Sequence, residues 1–285
     1  MQKKPTLPTK PPKKRKIRKL TFPALPCAFT LANGVCGLAA ITVVTGHASG
    51  HSQVDLAFFA AILIYLGIAF DVVDGHVARM TRQTSQFGKE LDSLCDVITF
   101  GIAPVFIMLT YDGIFQKRFL WGIGALYAVS AILRLARFNV QKDEHAATKY
   151  FQGLPTPLAA GTIASFAIAM PSLLELPGVV VPEITHRFGR QLIAVSHLVV
   201  PVIAIFLAWL MVSRIRYPHV ASALARRRSF SQLVELVFAV VVVVTLNEVA
   251  LPILFAYSVF APPLKQLRSR AVAGRNRHVA EPLEA

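Results

Sequence analysis

Residues 71–96 read DVVDGHVARMTRQTSQFGKELDSLCD, a stretch in which four aspartates stand at helical spacing inside an otherwise apolar chain. Asp71 and Asp74 are three residues apart and Asp92 and Asp96 four apart, so on two helices each pair projects from one face. Carboxylates are costly at membrane depth, and four of them converging repel one another unless divalent cations lie between them. An oxygen-only donor set suits Mg²⁺ or Mn²⁺ better than a softer metal. The stretch therefore predicts two neighbouring helices whose acidic faces meet over metal.

On both sides of it the chain is built for lipid. Of its 285 residues 54% are hydrophobic, and charge is scarce along several long stretches. Apolar runs at 25–45, 54–75, 91–111, 119–138, 156–174 and 191–213 each approach the ~20 residues that a spanning helix needs. A further run, 230–262, would extend ~50 Å as one helix, against a hydrocarbon core of ~30 Å. Asn247 and Glu248 sit in its middle and Pro252 follows, which reads as a hairpin of two short spans, with one long tilted helix as the alternative. The expected fold class is an all-α polytopic membrane protein with about eight spans, or seven if the last run is single.

Charge placement tests that count, because Lys and Arg collect on the cytoplasmic side of short loops. The amino-terminal arm carries Lys3, Lys4, Lys10, Lys13, Lys14, Arg15, Lys16, Arg18 and Lys19 and is assigned to the cytoplasm. Alternation then brings Arg79, Arg82 and Lys89, next Arg134, Arg137 and Lys142, and finally Arg214, Arg216 and Arg226 to Arg228 to the same side. The basic tail with Lys265, Arg268 and Arg270 also belongs inside if the spans are even in number. Lys117, Arg118, Arg187 and Arg190 are exceptions on the outer side. The expected organisation is a disordered basic arm (1–20), a membrane core (21–213), a basic loop (214–229), a transmembrane hairpin (230–262) and a basic tail (263–285), with the aspartates facing the cytoplasm.

A formal net charge of +15 could suggest nucleic acid, but the basic residues flank spans and no nucleic-acid motif accompanies them; anionic lipid is the better partner. No removable signal peptide is read. Cys27, Cys36 and Cys95 are few, odd in number and set in apolar segments, which argues against a disulfide framework or a zinc site. His47 and His51 read as loop residues, and His76 points away from the Asp71–Asp74 face. The blander account of the acidic stretch is solvated charge at span ends, with Asp71 paired to Arg79 or Lys89; a cation channel or transporter would use the same aspartates for permeation.

The spacing DxxDGxxARx8Gx3Dx3D, met by Asp71, Asp74, Gly75, Ala78, Arg79, Gly88, Asp92 and Asp96, resembles the signature of the CDP-alcohol phosphatidyltransferase family. The resemblance implies a six-helix membrane core, usually dimeric, that binds a cytidine diphosphate headgroup near the cytoplasmic surface. It assigns two divalent ions to Asp71, Asp74 and Asp92, with Asp96 completing the metal site and serving as general base on an alcohol. Gly75, Ala78 and Gly88 would let the nucleotide of CDP-diacylglycerol approach helix backbone, although small residues serve helix packing equally. Arg79 would neutralise phosphate or orient an aspartate, or else anchor the span at the interface. Thr30 and Asn33, in LPCAFTLANG, resemble the family's polar entry segment near cytidine; Cys27 stands where relatives commonly carry Asn.

The motif sets the donor chemistry and leaves the acceptor open. ELDSLCDVITFGIAP (90–104), RLARFN (134–139), FQGLPTP (151–157) and SRIRYP (213–218) resemble the phosphatidylserine synthase branch of that family, which implies L-serine as acceptor. The serine carboxylate needs a cation, and Arg134 and Arg137 are the candidates, guanidinium being able to grip carboxylate bidentately; an ordinary positive-inside cluster is the alternative for both. Glycerol 3-phosphate or an inositol phosphate would demand a denser basic pocket. The implied setting is a bacterial inner membrane with membrane lipid around a homodimer.

Overall fold

The computed structural model describes residues 24–46, 52–80, 85–113, 115–144, 150–174, 182–218 and 250–264. The basic arm, the loop beyond 218, the first part of the 230–262 run and the tail lie outside the described residues, as do the side chains of Ala78 and Arg79. The choice between seven and eight spans turns on residues 230–249 and lies outside them too.

Helix α1 spans Ala24–Thr45 and α2 Gln53–Met80, the latter running on past the acidic pair. Helix α3 (Gln86–Asp96) starts at Ser85, whose Oγ accepts the Gly88 N–H at 2.9 Å, an N-cap that satisfies one of the unpaired amides of a helix start. A π-helical turn, Val97–Ile102, leads straight into α4 (Ala103–Met108). Helix α5 is Lys117–Glu144, α6 Thr156–Leu174 and α7 Pro182–Val212, and a last helix, α8, covers Ala250–Leu264. Among the described residues, Pro26–Thr45, Gln53–Val77, Gln86–Met108, Lys117–Val140 and Ala194–Val212 are long and apolar enough to cross a membrane, and Thr156–Pro171 and Ala250–Leu264 are shorter apolar helices. The fold is an all-α polytopic membrane protein.

The π turn has a local cause. Pro104 lacks the N–H that would serve the Phe100 carbonyl four residues back, and the buried Tyr127 hydroxyl of α5 donates to that carbonyl at 3.2 Å instead. The third span thus changes pitch one residue beyond Asp96, the kind of interruption that recurs at functional sites.

Helix α6 is the enclosed centre. Ala159, Ala160, Ile163, Ala164 and Ala167 are almost fully buried, and the four alanines are small enough to let α2, α7 and the α3–α4 span approach closely. Exposed apolar residues such as Leu31, Val35, Leu38, Trp121 and Val129 lie on the outward faces, as expected where lipid replaces water.

One feature was not expected from the sequence. Strand β1 (Tyr150–Gln152) pairs antiparallel with β2 (Arg216–Pro218), in the register Tyr150↔Pro218, Phe151↔Tyr217 and Gln152↔Arg216. The ribbon joins the entry of α6 to the exit of α7. Helix α8 closes on this assembly: the Tyr217 hydroxyl donates to Val259 O at 3.1 Å, Phe260 stacks on Phe206 at 5.1 Å, and Phe255 meets Tyr65 edge-on at 5.6 Å.

Candidate active site

The two halves of the acidic motif meet, with three of the four aspartates in one cluster and Asp96 outside that group. One carboxylate oxygen each from Asp71, Asp74 and Asp92 lie within 4.8 Å of one another. Asp74 is buried, Asp71 and Asp92 are partly buried, and Asp96 is buried one turn further along α3. Three carboxylates this close repel strongly in a poorly hydrated setting, and a small hard cation with oxygen ligands is the group that relieves the repulsion. The donor set therefore fits the divalent metal on which the family depends.

Helix α1 supplies the supports. Thr30 Oγ1 donates to Asp74 Oδ2 at 3.0 Å and also approaches Pro26 O at 3.1 Å. Asn33, fully buried, donates from Nδ2 to Asp96 Oδ1 at 3.0 Å. The two polar residues expected near cytidine thus reach the aspartates, each holding a carboxylate from a different half of the motif.

The glycines differ among themselves. A Cβ at Gly75 would meet nothing within 4 Å, so no neighbouring side chain demands glycine there and the helix surface beside Asp74 is open. Gly88 lies against the cap, where a Cβ would stand 3.1 Å from Ser85 Oγ. Sequence reasoning passed over Gly34, Gly37 and Gly67, yet they are tightly enclosed against the segment that carries Asp96. Added Cβ atoms would stand 2.8 Å from Cys95 Sγ, 2.6 Å from Thr99 Cα and 2.6 Å from Thr99 Cγ2 respectively. Their signal was present as small residues within spans, but nothing in the spacing says which helix comes close.

The arginines part company. Arg134 is buried on α5; its Nη1 donates to Thr156 Oγ1 at the start of α6 at 3.2 Å, its guanidinium lies 5.3 Å from the Phe138 ring centroid, and it interacts electrostatically with Asp96 and Asp71. Arg137, less than a full turn away, turns to the end of α7. There it donates to Val212 O at 3.1 Å and Ser213 O at 3.3 Å, satisfying carbonyls that the helix leaves unpaired and meeting the negative end of its dipole.

The same place gathers the loop before α6. Gly153 N donates to Ile215 O at 2.8 Å and Leu154 N to Leu210 O at 3.1 Å. Gly153 has φ 85°, a left-handed conformation that a side chain would strain, and a Cβ there would run into Met211 O and the Arg137 guanidinium. On α5, Asn139 Nδ2 donates to Ser93 Oγ beside Asp92 at 2.9 Å. RLARFN, FQGLPTP and SRIRYP, separate in sequence, therefore form one structure, anchored to the acidic helix through Asn139.

A bundle of membrane-spanning helices that brings the DxxDGxxAR and Gx3Dx3D halves together over a hard-cation site defines the class. The chain belongs to the CDP-alcohol phosphatidyltransferase family, whose model matches residues 23–210, from the entry of α1 almost to the end of α7. Among curated relatives, the chain is 31% identical over 197 residues to the CDP-diacylglycerol--serine O-phosphatidyltransferase of Bacillus subtilis, covering 68% of this chain and 90% of that protein. It is 40% identical over 154 residues to the archaetidylserine synthase of Methanothermobacter thermautotrophicus, covering 52% and 60% of the two chains. It is 33% identical over 179 residues to the Saccharomyces cerevisiae CDP-diacylglycerol--serine O-phosphatidyltransferase, covering 57% and 63%.

Proposed function

We propose that this protein transfers the phosphatidyl group of CDP-diacylglycerol to L-serine, yielding phosphatidylserine and CMP. The observation that carries the reading is the convergence of Asp71, Asp74 and Asp92 within 4.8 Å, in a chain similar along most of its core to proteins of that printed activity. The serine hydroxyl oxygen attacks the phosphorus bonded to diacylglycerol, the bond from that phosphorus to the CMP phosphate oxygen breaks, and CMP leaves with the bonding pair.

The chain's own groups divide the work. Asp71, Asp74 and Asp92 would hold two ions, Mg²⁺ or Mn²⁺. Bound there, such ions neutralise the diphosphate and the charge that develops on departing CMP. Asp96, held by Asn33, takes the hydroxyl proton as the oxygen attacks; a carboxylate is a weak base for an alcohol, so position matters more than basicity. The open helix surface at Gly75 admits the nucleotide, and the family resemblance gives Ala78, Arg79 and Gly88 a part in binding the same ligand. Arg134, buried near Asp96, is the cation for the serine carboxylate. Arg137 is proposed to serve serine through the loop it fastens. The cluster of basic residues on that side of the spans supports a cytoplasmic active site in a bacterial inner membrane, and the family resemblance supports a homodimer.

The test is CMP release by detergent-solubilised protein given CDP-diacylglycerol, Mg²⁺ or Mn²⁺, and a panel of alcohols. Serine-dependent release is expected, with Arg134→Lys raising the KM for serine far more than that for the donor. Release with only glycerol 3-phosphate or an inositol phosphate would overturn the acceptor. No release with any alcohol, together with an ion flux altered by Asp96→Asn, would favour a transporter.

A further inference from the structure

Asn33 is an expensive residue where it stands. It is fully buried, and while Nδ2 donates to Asp96, its Oδ1 has no hydrogen-bond partner among the described residues. An unsatisfied buried amide oxygen is destabilising, and what Asn33 adds in return is the donor aimed at Asp96.

Thr99 bears on the same residue from the other side. It lies on the π turn, three residues after Asp96, and is fully buried. In a regular helix its hydroxyl would turn back to the carbonyl four residues earlier. Here Thr99 Oγ1 crosses to α1 and donates to the backbone carbonyl of Asn33 at 2.8 Å. Asn33 and the 96–99 segment are thus tied twice, side chain to Asp96 and backbone to Thr99, which determines both where the Asn33 backbone sits and where its amide points.

Three glycines hold this crossing shut. Gly37 of α1 touches Thr99 backbone, Gly34 touches Cys95, and Gly67 of α2 faces both Thr99 Cγ2 and Asn33 Oδ1, where an added Cβ would come within 2.6 and 2.9 Å. Thr99 is consequently the point at which α1, α2 and the third span meet, and Pro104 with Tyr127 maintains the pitch change that presents it.

We infer that Thr99 is a positioning residue for the transfer reaction, acting through Asn33 to hold the Asp96 carboxylate at the serine hydroxyl. The tie to Oδ1 leaves the other carboxylate oxygen to accept the proton. This rests on the reading of Asp96 as proton acceptor given above. Because Thr99 touches no substrate in this account, its loss should slow the chemical step and leave donor capture by Asp71, Asp74 and Asp92 intact.

The experiment uses the full chain in detergent with CDP-diacylglycerol, serine and Mg²⁺, following CMP release for Thr99→Val, Thr99→Ser and Asp96→Asn, with thermal melting of each. Thr99→Val keeps volume and branching and removes the hydroxyl. It is expected to lose about tenfold or more in kcat, as a small misplacement of a reacting group does, with the KM for CDP-diacylglycerol within about twofold of the parent. Thr99→Ser, which restores the hydroxyl, should recover most of that loss. Parental turnover by Thr99→Val overturns the inference while Asp96→Asn remains inactive. So does an equal loss in the Val and Ser variants, or a loss that tracks only the folded fraction. Parental turnover by Asp96→Asn instead removes the assigned proton acceptor, a different failure visible in the same plate.

Discussion

Replacing Gly67 with alanine sets two physical effects of opposite sign against each other. In an ordinary helix interior the exchange stabilises by about 0.8–1 kcal/mol, through backbone entropy. Here the new Cβ would lie 2.6 Å from Thr99 Cγ2 and 2.9 Å from Asn33 Oδ1, whereas carbon atoms pack best at about 3.5–4.0 Å. Something must yield by about 1 Å, and overpacking of this kind costs about 1–3 kcal/mol. Yielding on the side of α1 or of the third span leads to Asp96: moving Asn33 stretches its 3.0 Å bond to the Asp96 carboxylate, and moving Thr99 strains its 2.8 Å bond to the Asn33 carbonyl. Gly67→Ala is therefore expected to melt at or below the parent temperature and to lose on the order of 10²-fold in kcat, the scale of a 1 Å misplacement at a reacting centre. The KM for CDP-diacylglycerol should change little. CMP release under saturating substrates and a melt in the same detergent measure both quantities. A variant that melts higher than the parent and turns over at the parental rate would refute the reasoning, because helix propensity would then have won and the crossing would be slack.

Other perturbations address other parts of the machine. Gly75→Leu adds a side chain where a Cβ meets nothing within 4 Å, so the melting temperature should hold while the KM for CDP-diacylglycerol rises at least about tenfold, a bulky group now standing where backbone was reachable; an unchanged KM would remove Gly75 from the donor site. Asp92→Asn takes one of three charges from the cluster and should shift the Mg²⁺ dependence of CMP release to higher concentration, while chelation of the parent should abolish release and added Mg²⁺ restore it. Tyr217→Phe deletes the bond to Val259 O and should lower stability by about 1 kcal/mol, seen as a modest drop in melting temperature; a loss of zero would mean that α8 is held by its aromatic contacts alone.

The acidic site was legible because its signal is local and redundant: helical spacing puts each pair of aspartates on one face, and a hard cation between the faces is what makes such a cluster of carboxylates tolerable in lipid. Five of the expected spans were legible from length and apolarity. The supports were legible only in part. Thr30 and Asn33 stood out as polar residues in the first span, but their partners depend on how α1 is rotated against α2 and α3, which periodicity does not report. The π turn had a sign in the sequence, a proline inside an apolar run at ITFGIAP, although the compensating Tyr127 hydroxyl comes from another helix. The ribbon had almost none: three-residue strands carry no period, and Phe151 and Tyr217 find each other only after α6 and α7 have packed. The bonds of Arg137 were hidden for a related reason. Its cationic type is equally suited to a carboxylate or to the carbonyl end of a helix, and its bonds to Val212 O and Ser213 O depend on where α7 ends beside α5.

That division between what is local and what is assembled matches a division of labour. The donor half of the site rests on α2 and α3, within one stretch of 26 residues, where spacing alone brings metal ligands together. The acceptor half, as proposed, is composed of α5, the Gly153 loop, the end of α7 and the ribbon, with α8 fastened across them by Tyr217 and Phe260. Among the described residues the two halves are linked by Asn139 on Ser93 and by Arg134 facing Asp96 and Asp71. A site joined in this way can change its acceptor by altering the assembled half, without disturbing the charge balance that activates the diphosphate.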